Sequence, residues 1–435
     1  MDYSAIINYL YGLQRFGTKL GLRNIRTLAR LLNNPHHALR AVHITGTNGK
    51  GSVAAMIASV LQAQGYKVGL YTSPHLSRFT ERITINGKEI PESKVVELTK
   101  ELKLLADKTK AITSGYPTFF EFTTALMFKY FCDEKIDIAS IEVGMGGRLD
   151  ATNIINPLVS VITTVALEHT KYLGNTIEKI AYEKCGIIKR KRPVVTAVNN
   201  TKALGVIKNL CRKRCCELFV VGNDIEFKVL NQSLQNQELE VCGLLDSYKI
   251  SIPLLGTHQC INAATAIATL ECLKKYYGIA ITKESIKKGL GTVRWHGRLE
   301  IVKKKPLVLL DCSHNPEAAR TLAKELEKFK ALKILVIGIS SDKDISSVLR
   351  ELLPQFELVI ATQSKVIERA LPVEELTRKI LEHKNKVIVA RNVNKAIDCA
   401  LSLASKNDII CITGSVFVVG EARDYLVESR KSKDN

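Results

Sequence analysis

The chain has 435 residues, a length that favours two domains, each large enough to bury its own core. With 46% hydrophobic residues, 24% charged residues and 26 glycines it is neither a disordered segment nor collagen, and it is too long for a disulfide-stapled miniprotein. Sixty-three Lys and Arg against 43 Asp and Glu give a net charge of +20, which admits nucleotides, polyacids and nucleic acids as partners without choosing among them.

The basic runs 189–192 and 212–214 lack interleaved aromatics, so they read as solvated surface and no nucleic-acid partner is expected. No apolar run reaches the roughly 18 residues of a membrane helix. The N-terminus, MDYSAIINYLYGLQRFGTKL, carries an early acid and no signal-peptide pattern, so a cytoplasmic protein without membrane contact is expected. The 11 cysteines read as thiols, mostly in the core. Cys211, Cys215 and Cys216 lack paired C-x-x-C spacing and a nearby histidine, which argues against zinc.

Along the chain, short β-rich runs alternate with helical stretches. AVHIT (41–45) precedes VAAMIASVLQAQ; IDIASIEVG (136–144) and LVSVITTVAL (158–167) follow. The alternation predicts a mainly parallel sheet covered by helices. Residues 215–255 (ELFVVG, IEFKVL, LEVCGL, YKISIPL) show strand-like pieces with no helical pattern and predict a small antiparallel appendage. From about residue 299 a second strand–helix series begins: PLVLLDCS, KILVIGIS, ELVIATQS, KVIVARN and DIICITGS. It predicts a separate doubly wound, Rossmann-like domain. The expected organisation is α/β, with an N-terminal P-loop ATPase domain and its appendage over 1–296, a Rossmann-like C-terminal domain over 297–435, and the hinge near 294–298.

The segment His43-Ile-Thr-Gly46-Thr-Asn-Gly49-Lys50-Gly51-Ser52 lies between a predicted strand and a predicted helix. There, glycines let backbone N–H groups face phosphate oxygens and the helix N-terminus adds partial positive charge. Lys50 is placed to neutralise β/γ-phosphates and Ser52 to give its hydroxyl to Mg²⁺. The order Gly-Lys-Gly-Ser departs from G-x-x-x-x-G-K-[ST], yet nucleotide binding remains the strongest inference from chemistry. Glu142 ends a strand where a carboxylate would emerge beside the loop, and the glycine-rich run 143–150 follows. His169 alone reads as a surface histidine; alongside Ser52 and Glu142 it becomes a candidate second metal ligand.

These segments, with Thr72-Ser-Pro-His75, Glu81-Arg-Ile-Thr-Ile-Asn-Gly87, Thr118-Phe-Phe-Glu-Phe122, Glu142-Val-Gly-Met-Gly-Gly-Arg-Leu-Asp-Ala-Thr-Asn153, Glu183-Lys-Cys-Gly-Ile-Ile188, Gly256-Thr-His-Gln259, Asp311-Cys-Ser-His-Asn-Pro316, Gly414-Ser415 and Gly420-Glu-Ala-Arg423, resemble the folylpolyglutamate synthase and dihydrofolate synthase branch of the Mur-type amide ligases. The resemblance runs in order over about 43–423.

It implies an ATP-dependent ligase that joins L-glutamate to dihydropteroate, to a reduced folate, or to both, through an acyl phosphate, with ATP held between the two domains. By resemblance Thr47, Asn48, Gly49, Lys50, Gly51, Ser52, Asn262, Arg298, Asp311 and His314 contact ATP. Ser52 and Glu142 would hold one Mg²⁺, while Glu142, His169 and a carbamylated Lys184 would hold a second. Lys50, His169 and Lys184 would be catalytic. His75, Arg82, Thr118, Phe120 and Asp150 would meet the folate, and the loop from Ser73 to Arg82 would cover it.

Cys185, Cys312-Ser313 and His296 depart from the family's usual alanine, Gly-Ala and proline. A cell-wall precursor ligase would carry a further N-terminal UDP-binding domain, whereas about 40 residues precede this loop. A non-enzymatic basic P-loop protein leaves Glu142, His169, Asp311 and His314 without a purpose. A monomer is expected.

Overall fold

The strand β1 (Ala41–Thr45) is buried along its whole length, as a strand flanked on both sides and covered above and below must be. The computed structural model that shows this describes residues 2–17, 19–366, 369–384 and 386–431. Around β1 lie β2 (Val68–Tyr71), β3 (Ile83–Ile85), β4 (Lys88–Glu89), β5 (Ile138–Glu142), β6 (Val159–Ile162), β7 (Val194–Thr196) and β8 (Leu218–Val220). Their order is β4-β3-β2-β5-β1-β6-β7-β8. The six strands from β2 to β8 in that row run parallel, and β3 and β4 extend the edge antiparallel. Parallel pairing sends every crossover across a face of the sheet and gathers the strands' C-terminal ends at one rim, where ligands bind in such sheets.

The region expected as an appendage divides. Leu218–Val220, from ELFVVG, joins the main sheet as its last parallel strand, because it follows the helix Thr201–Lys213 as the second half of a βαβ crossover. The antiparallel appendage is β9 (Glu226–Gln232), β10 (Gln237–Cys242) and β11 (Ser247–Ile252), in the order β11-β10-β9. Its β10 to β11 loop is tied to the helix Thr257–Tyr277 by Glu271, whose buried carboxylate accepts the N–H groups of Leu244, Leu245 and Asp246 and the Tyr248 hydroxyl.

The second sheet comprises β12 (Glu300–Lys304), β13 (Leu307–Leu310), β14 (Lys333–Ile337), β15 (Leu358–Ala361), β16 (Ile388–Val389) and β17 (Ile409–Thr413), ordered β12-β13-β17-β14-β15-β16. All neighbours from β13 onward are parallel. Alternate strand residues face two cores: Leu309, Leu335 and Cys411 meet the helices after β13, β14 and β15, while Val308, Val336 and Ile410 meet those after β16 and β17. The adjacent strands β14 and β17 therefore lead to helices on opposite faces, which makes the gap between them a topological switch point.

By backbone contacts the chain falls into two units, Met1–His75 with Phe79–Pro253 and His258–Arg294, and Trp295–Asn435 with Leu76–Arg78 and Leu254–Thr257. Among the described residues no helix is long and apolar enough to cross a membrane.

Candidate active site

In the first unit, β1 ends at Thr45 and the helix Lys50–Ala63 starts five residues later, so residues 46–49 form the turn between strand and helix. Three backbone and side-chain contacts shape that turn against the end of β6. Thr47 N–H donates to Thr164 O at 2.9 Å, Asn48 N–H to Thr164 Oγ1 at 2.9 Å, and Thr163 Oγ1 to Asn48 O at 2.6 Å. The Thr47 hydroxyl also accepts Ala166 N–H at 3.0 Å. Gly49 caps the helix at φ +84°, a left-handed conformation that only glycine adopts without strain. Lys50 Nζ is folded back onto the carbonyls of Gly46 and Thr47 at 3.2 and 3.0 Å.

Gly51 and Ser52 occupy the first helical turn and are buried. Gln259 Nε2 donates to Ser52 Oγ at 3.3 Å, and Asn262 Nδ2 donates to Gln259 Oε1 at 3.0 Å. A Cβ on Gly49 would stand 2.6 Å from Asn262 Oδ1. The structure thus brings Asn262, distant in sequence, to Gly49 and Ser52 around one helix N-terminus.

Glu142 is the last residue of β5, the strand beside β1, and its buried carboxylate accepts Ser73 N–H at 3.0 Å. The glycine-rich turn that follows is held to the root of the phosphate loop by Thr45 Oγ1, which donates to Gly146 O at 2.6 Å. Lys184 is buried at the end of the helix Ile177–Lys184, where Arg148 N–H donates to Glu183 O at 2.7 Å. His169 adopts φ +51° ahead of the short helix Thr170–Leu173, with Nε2 3.9 Å from Glu168 Oε1. Among the described residues no group of three or more His, Cys, Asp or Glu side chains could hold a metal by itself. The donors that do fit a hard cation here are the Ser52 hydroxyl and the Glu142 carboxylate, both oxygen and both buried.

The loop from Ser73 to Arg82 brings two of its expected residues together: Arg82 Nε donates to His75 Nδ1 at 2.7 Å. Burial, then the Arg82 charge, pushes His75 down to about 3, so the ring is neutral. Burial also lowers Arg82 itself, while Tyr71, Tyr11 and Glu142 oppose that shift. The guanidinium lies 5.2 Å over the Phe119 ring.

Phe119 further meets Tyr11 at 6.0 Å and Phe79 at 6.3 Å. Phe120 turns the other way, against Tyr71 at 6.2 Å and Gly144, where a Cβ would lie 2.5 Å from its ring. Thr118 serves locally, as half of a capping box with Glu121 at the start of the helix Phe119–Asp133. Both Asp150 oxygens have internal partners: Oδ2 accepts Met145 N–H at 2.9 Å, and Oδ1 accepts Thr152 N–H at 3.0 Å and Thr152 Oγ1 at 2.5 Å. Burial raises the Asp150 carboxyl against those hydrogen bonds.

In the second unit Asp311 accepts Leu299 N–H and Ser313 N–H, each at 2.9 Å, and so ties the segment after Arg298 to the end of β13. His314 Nδ1 lies 2.8 Å from Cys312 O, and Arg298 Nη1 donates to Gly297 O at 2.9 Å. Burial works against the Glu300 carboxylate, but the His296 hydrogen bond and charge, Gly297 N–H and Arg423 hold it down at about 2. At the switch point Ser340 Oγ and Ser415 Oγ stand 3.3 Å apart, at the N-terminus of the helix Val416–Lys431.

Two family models match this chain, the Mur ligase middle domain over residues 44–270 and the "Mur ligase, glutamate ligase domain" over residues 297–416. A dihydrofolate synthase/folylpolyglutamate synthase of Bacillus subtilis is 34% identical over 98% of this chain and 99% of its own length. The chain belongs to the folylpolyglutamate synthase/dihydrofolate synthase family of Mur ligases. As a member it is an ATP-dependent ligase with the family's α/β architecture. A probable bifunctional folylpolyglutamate synthase/dihydropteroate synthase of Haloferax volcanii is 35% identical over 97% of this chain, which spans about half (50%) of that relative's length. Among solved structures, Mycobacterium tuberculosis folylpolyglutamate synthase complexed with ADP and AMPPCP superposes with a TM-score of 0.90 at 34% identity, covering 98% of this chain and 99% of that one. Escherichia coli FolC in complex with DHPP and ADP gives 0.87 at 28% identity, covering 98% of each chain.

Sequence reasoning missed several residues of this site. Gln259 ends the Gly256-Thr-His-Gln run, and only its contact with Ser52 brings it into the site. Phe119 and Tyr11 gather around Arg82 through tertiary packing that no local pattern announces. Thr118-x-x-Glu121 was a readable capping signal. The Ser340 and Ser415 pair required strand order, which places the ends of β14 and β17 side by side.

Proposed function

We propose that this ligase joins L-glutamate to dihydropteroate and to the γ-carboxylate of reduced folyl-glutamates, by way of an acyl phosphate. The observation that supports it most is the cradle at residues 46–52, with Ser52, Gln259 and Asn262 linked around Gly49. The relatives' complexes with ADP, AMPPCP and DHPP support the same reading.

A carboxylate is a poor acyl donor, and phosphorylation gives it a leaving group. Both partners in that transfer are anions, so cations must offset their repulsion. Lys50 would exchange its two loop carbonyls for phosphate oxygens, and the N–H groups of 49–52 would meet the same oxygens. Thr47 and Asn48 would hold the loop's shape through Thr163 and Thr164. From the second unit Arg298, Asp311 and His314 are proposed as further nucleotide contacts. Mg²⁺, when bound, would supply Lewis-acid neutralisation of the terminal phosphates. Ser52 and Glu142 would hold one ion, and Glu142, His169 and a carbamylated Lys184 a second.

On the acceptor side, Phe120 against Gly144 offers an aromatic face to a heterocycle, and Thr118 and Asp150 are proposed to meet its polar edge. A buried guanidinium donates well to a carboxylate, so Arg82, set beside a neutral His75 and over the Phe119 ring, suits the acceptor's carboxylate. L-Glutamate fits the switch point of the second unit, where Ser340 and Ser415 meet a helix N-terminus. A soluble cytoplasmic monomer acting on small molecules completes the reading.

The test is glutamate-dependent ADP release by the purified chain, assayed separately with dihydropteroate and with tetrahydrofolate, with mass spectrometry of the product. A gain of one glutamyl residue on each acceptor is expected. Turnover with neither acceptor would overturn the assignment.

A further inference from the structure

His43 lies in the middle of β1, fully buried, with no role in phosphate binding. Its Nε2 is 2.8 Å from Thr152 Oγ1, and its Nδ1 has no partner among the described residues. Thr152 Oγ1 is also 2.5 Å from Asp150 Oδ1. A threonine hydroxyl has one proton to give. Asp150 already accepts backbone N–H groups on both oxygens, Met145 on Oδ2 and Thr152 on Oδ1, which marks it as the acceptor. The Thr152 proton therefore goes to Asp150, and Thr152 must accept from His43. That fixes the ring as the Nε2–H tautomer with a bare Nδ1, and it gives the chain of bonds one direction: His43 Nε2–H to Thr152 O–H to Asp150 carboxylate.

The far end of this chain holds Met145 N–H, within the glycine-rich turn that Phe120 packs against at Gly144. Thr45, two residues beyond His43 on the same strand, holds the next carbonyl of that turn, Gly146 O, at 2.6 Å. The turn is pinned to β1 by two arms, one polar and direct, the other a buried relay. A directional buried network favours one geometry, and loss of its middle member leaves the His43 Nε2–H without its acceptor and Asp150 without one of its donors.

We propose that His43 is a positioning residue for the acceptor side of the reaction, acting through Thr152 and Asp150 on the Met145–Gly146 turn. The proposal rests on the ligase reading above, and its test includes a readout that does not.

The isosteric variant Thr152→Val removes the relay's middle oxygen, Thr152→Ser restores it, and His43→Leu removes the donor while His43→Gln keeps an N–H at similar reach. In Thr152→Val the KM for the pteroate or folate acceptor should rise about tenfold or more with the KM for ATP within about twofold, the worth of a lost buried hydrogen bond to a charged group. Thr152→Ser should recover most of it, and His43→Gln should exceed His43→Leu. An unchanged acceptor KM, or equal rises for acceptor and ATP tracking a lowered Tm, would overturn the proposal.

If neither acceptor turns over with the unaltered chain, the ligase reading falls and nitrogen-15 NMR decides the relay alone. A protonated Nε2 and bare Nδ1 on His43, with a Met145 amide shift that moves in Thr152→Val, sustain it. A protonated Nδ1, or an unmoved Met145 amide, sinks it.

Discussion

Asn262 Oδ1 stands where the side chain of any other residue at position 49 would begin, 2.6 Å from a Cβ built on Gly49. Two demands therefore coincide at one glycine, the left-handed φ of +84° and the close approach of the helix Thr257–Tyr277. In Gly49→Ala the backbone cost is on the order of 1 kcal/mol or more, and Asn262 must also withdraw from Gln259. ADP release should fall by at least about tenfold. Adding Asn262→Ala relieves the steric demand but leaves the dihedral strain, so the double variant should not recover full activity. Circular dichroism checks that the fold persists while the turnover assay reads the loss.

Lys50 makes its two hydrogen bonds to carbonyls of its own loop. Lys50→Ala removes nothing that another element depends on, so the Tm should move by only a few degrees, the effect of well under about 2 kcal/mol in a chain of this size. ADP formation, by contrast, should be abolished. Substantial residual turnover would remove Lys50 from the phosphate site.

Much of this site was legible because it is local in sequence. The run from Gly46 to Ser52 carries strand, glycine turn, cation and helix within a few residues, and β1 and the helix Lys50–Ala63 flank it as expected. Glu142 was readable for the same reason, since it ends a buried apolar strand. What the sequence hid is partnership. Nothing in the pattern around Arg82 foretells Phe119 beneath its guanidinium, because the two are joined only when β2 and β3 pair beside the helix Phe119–Asp133. Leu218–Val220 falls in the main sheet and not in the appendage; a three-residue edge strand carries no periodicity, and only the crossover rule separates it from the hairpins after it. The sequence likewise gives no sign of the role of Glu271, because its four donors come from the β10 to β11 turn and β11, across a tertiary contact.

His36 gives a pH signature of stability. Burial, then the neighbouring His37, pushes it down to about 4, and its ring packs on His37 at 4.2 Å and Phe128 at 5.7 Å. Folded, it stays neutral until about pH 4; unfolded, it takes a proton below about 6.5. Between those values the unfolded state binds more protons, so stability present above pH 6.5 is lost as pH falls, by up to about 1.4 kcal/mol per pH unit. His43 and His75, both pushed down to about 3, add slope in the same window. Urea midpoints from pH 7 to pH 4.5 should therefore decline. His36→Phe should flatten that decline by about one proton's worth. An unaltered slope would mean that His36 titrates normally in the fold.

Lys184 poses a charge problem that its modification would solve. It is buried at the end of the helix Ile177–Lys184, on the chain segment that accepts Arg148 N–H and thereby adjoins the glycine-rich turn after Glu142. An ammonium there would repel a metal held by Glu142, whereas a carbamate offers an anionic oxygen of the kind a hard cation prefers. Carbamylation requires a neutral amine and carbon dioxide, and it reverses in acid, so it must be sought by native mass spectrometry in bicarbonate near pH 8. The expected finding is a mass gain of one CO₂ that is absent from Lys184→Gln, and turnover in that variant at least about a hundredfold below that of the unaltered chain, in keeping with the loss of a metal ligand. A Lys184→Gln protein that turns over normally would show that the lysine is an ordinary helix-end residue, and the second metal position would then have to be built without it.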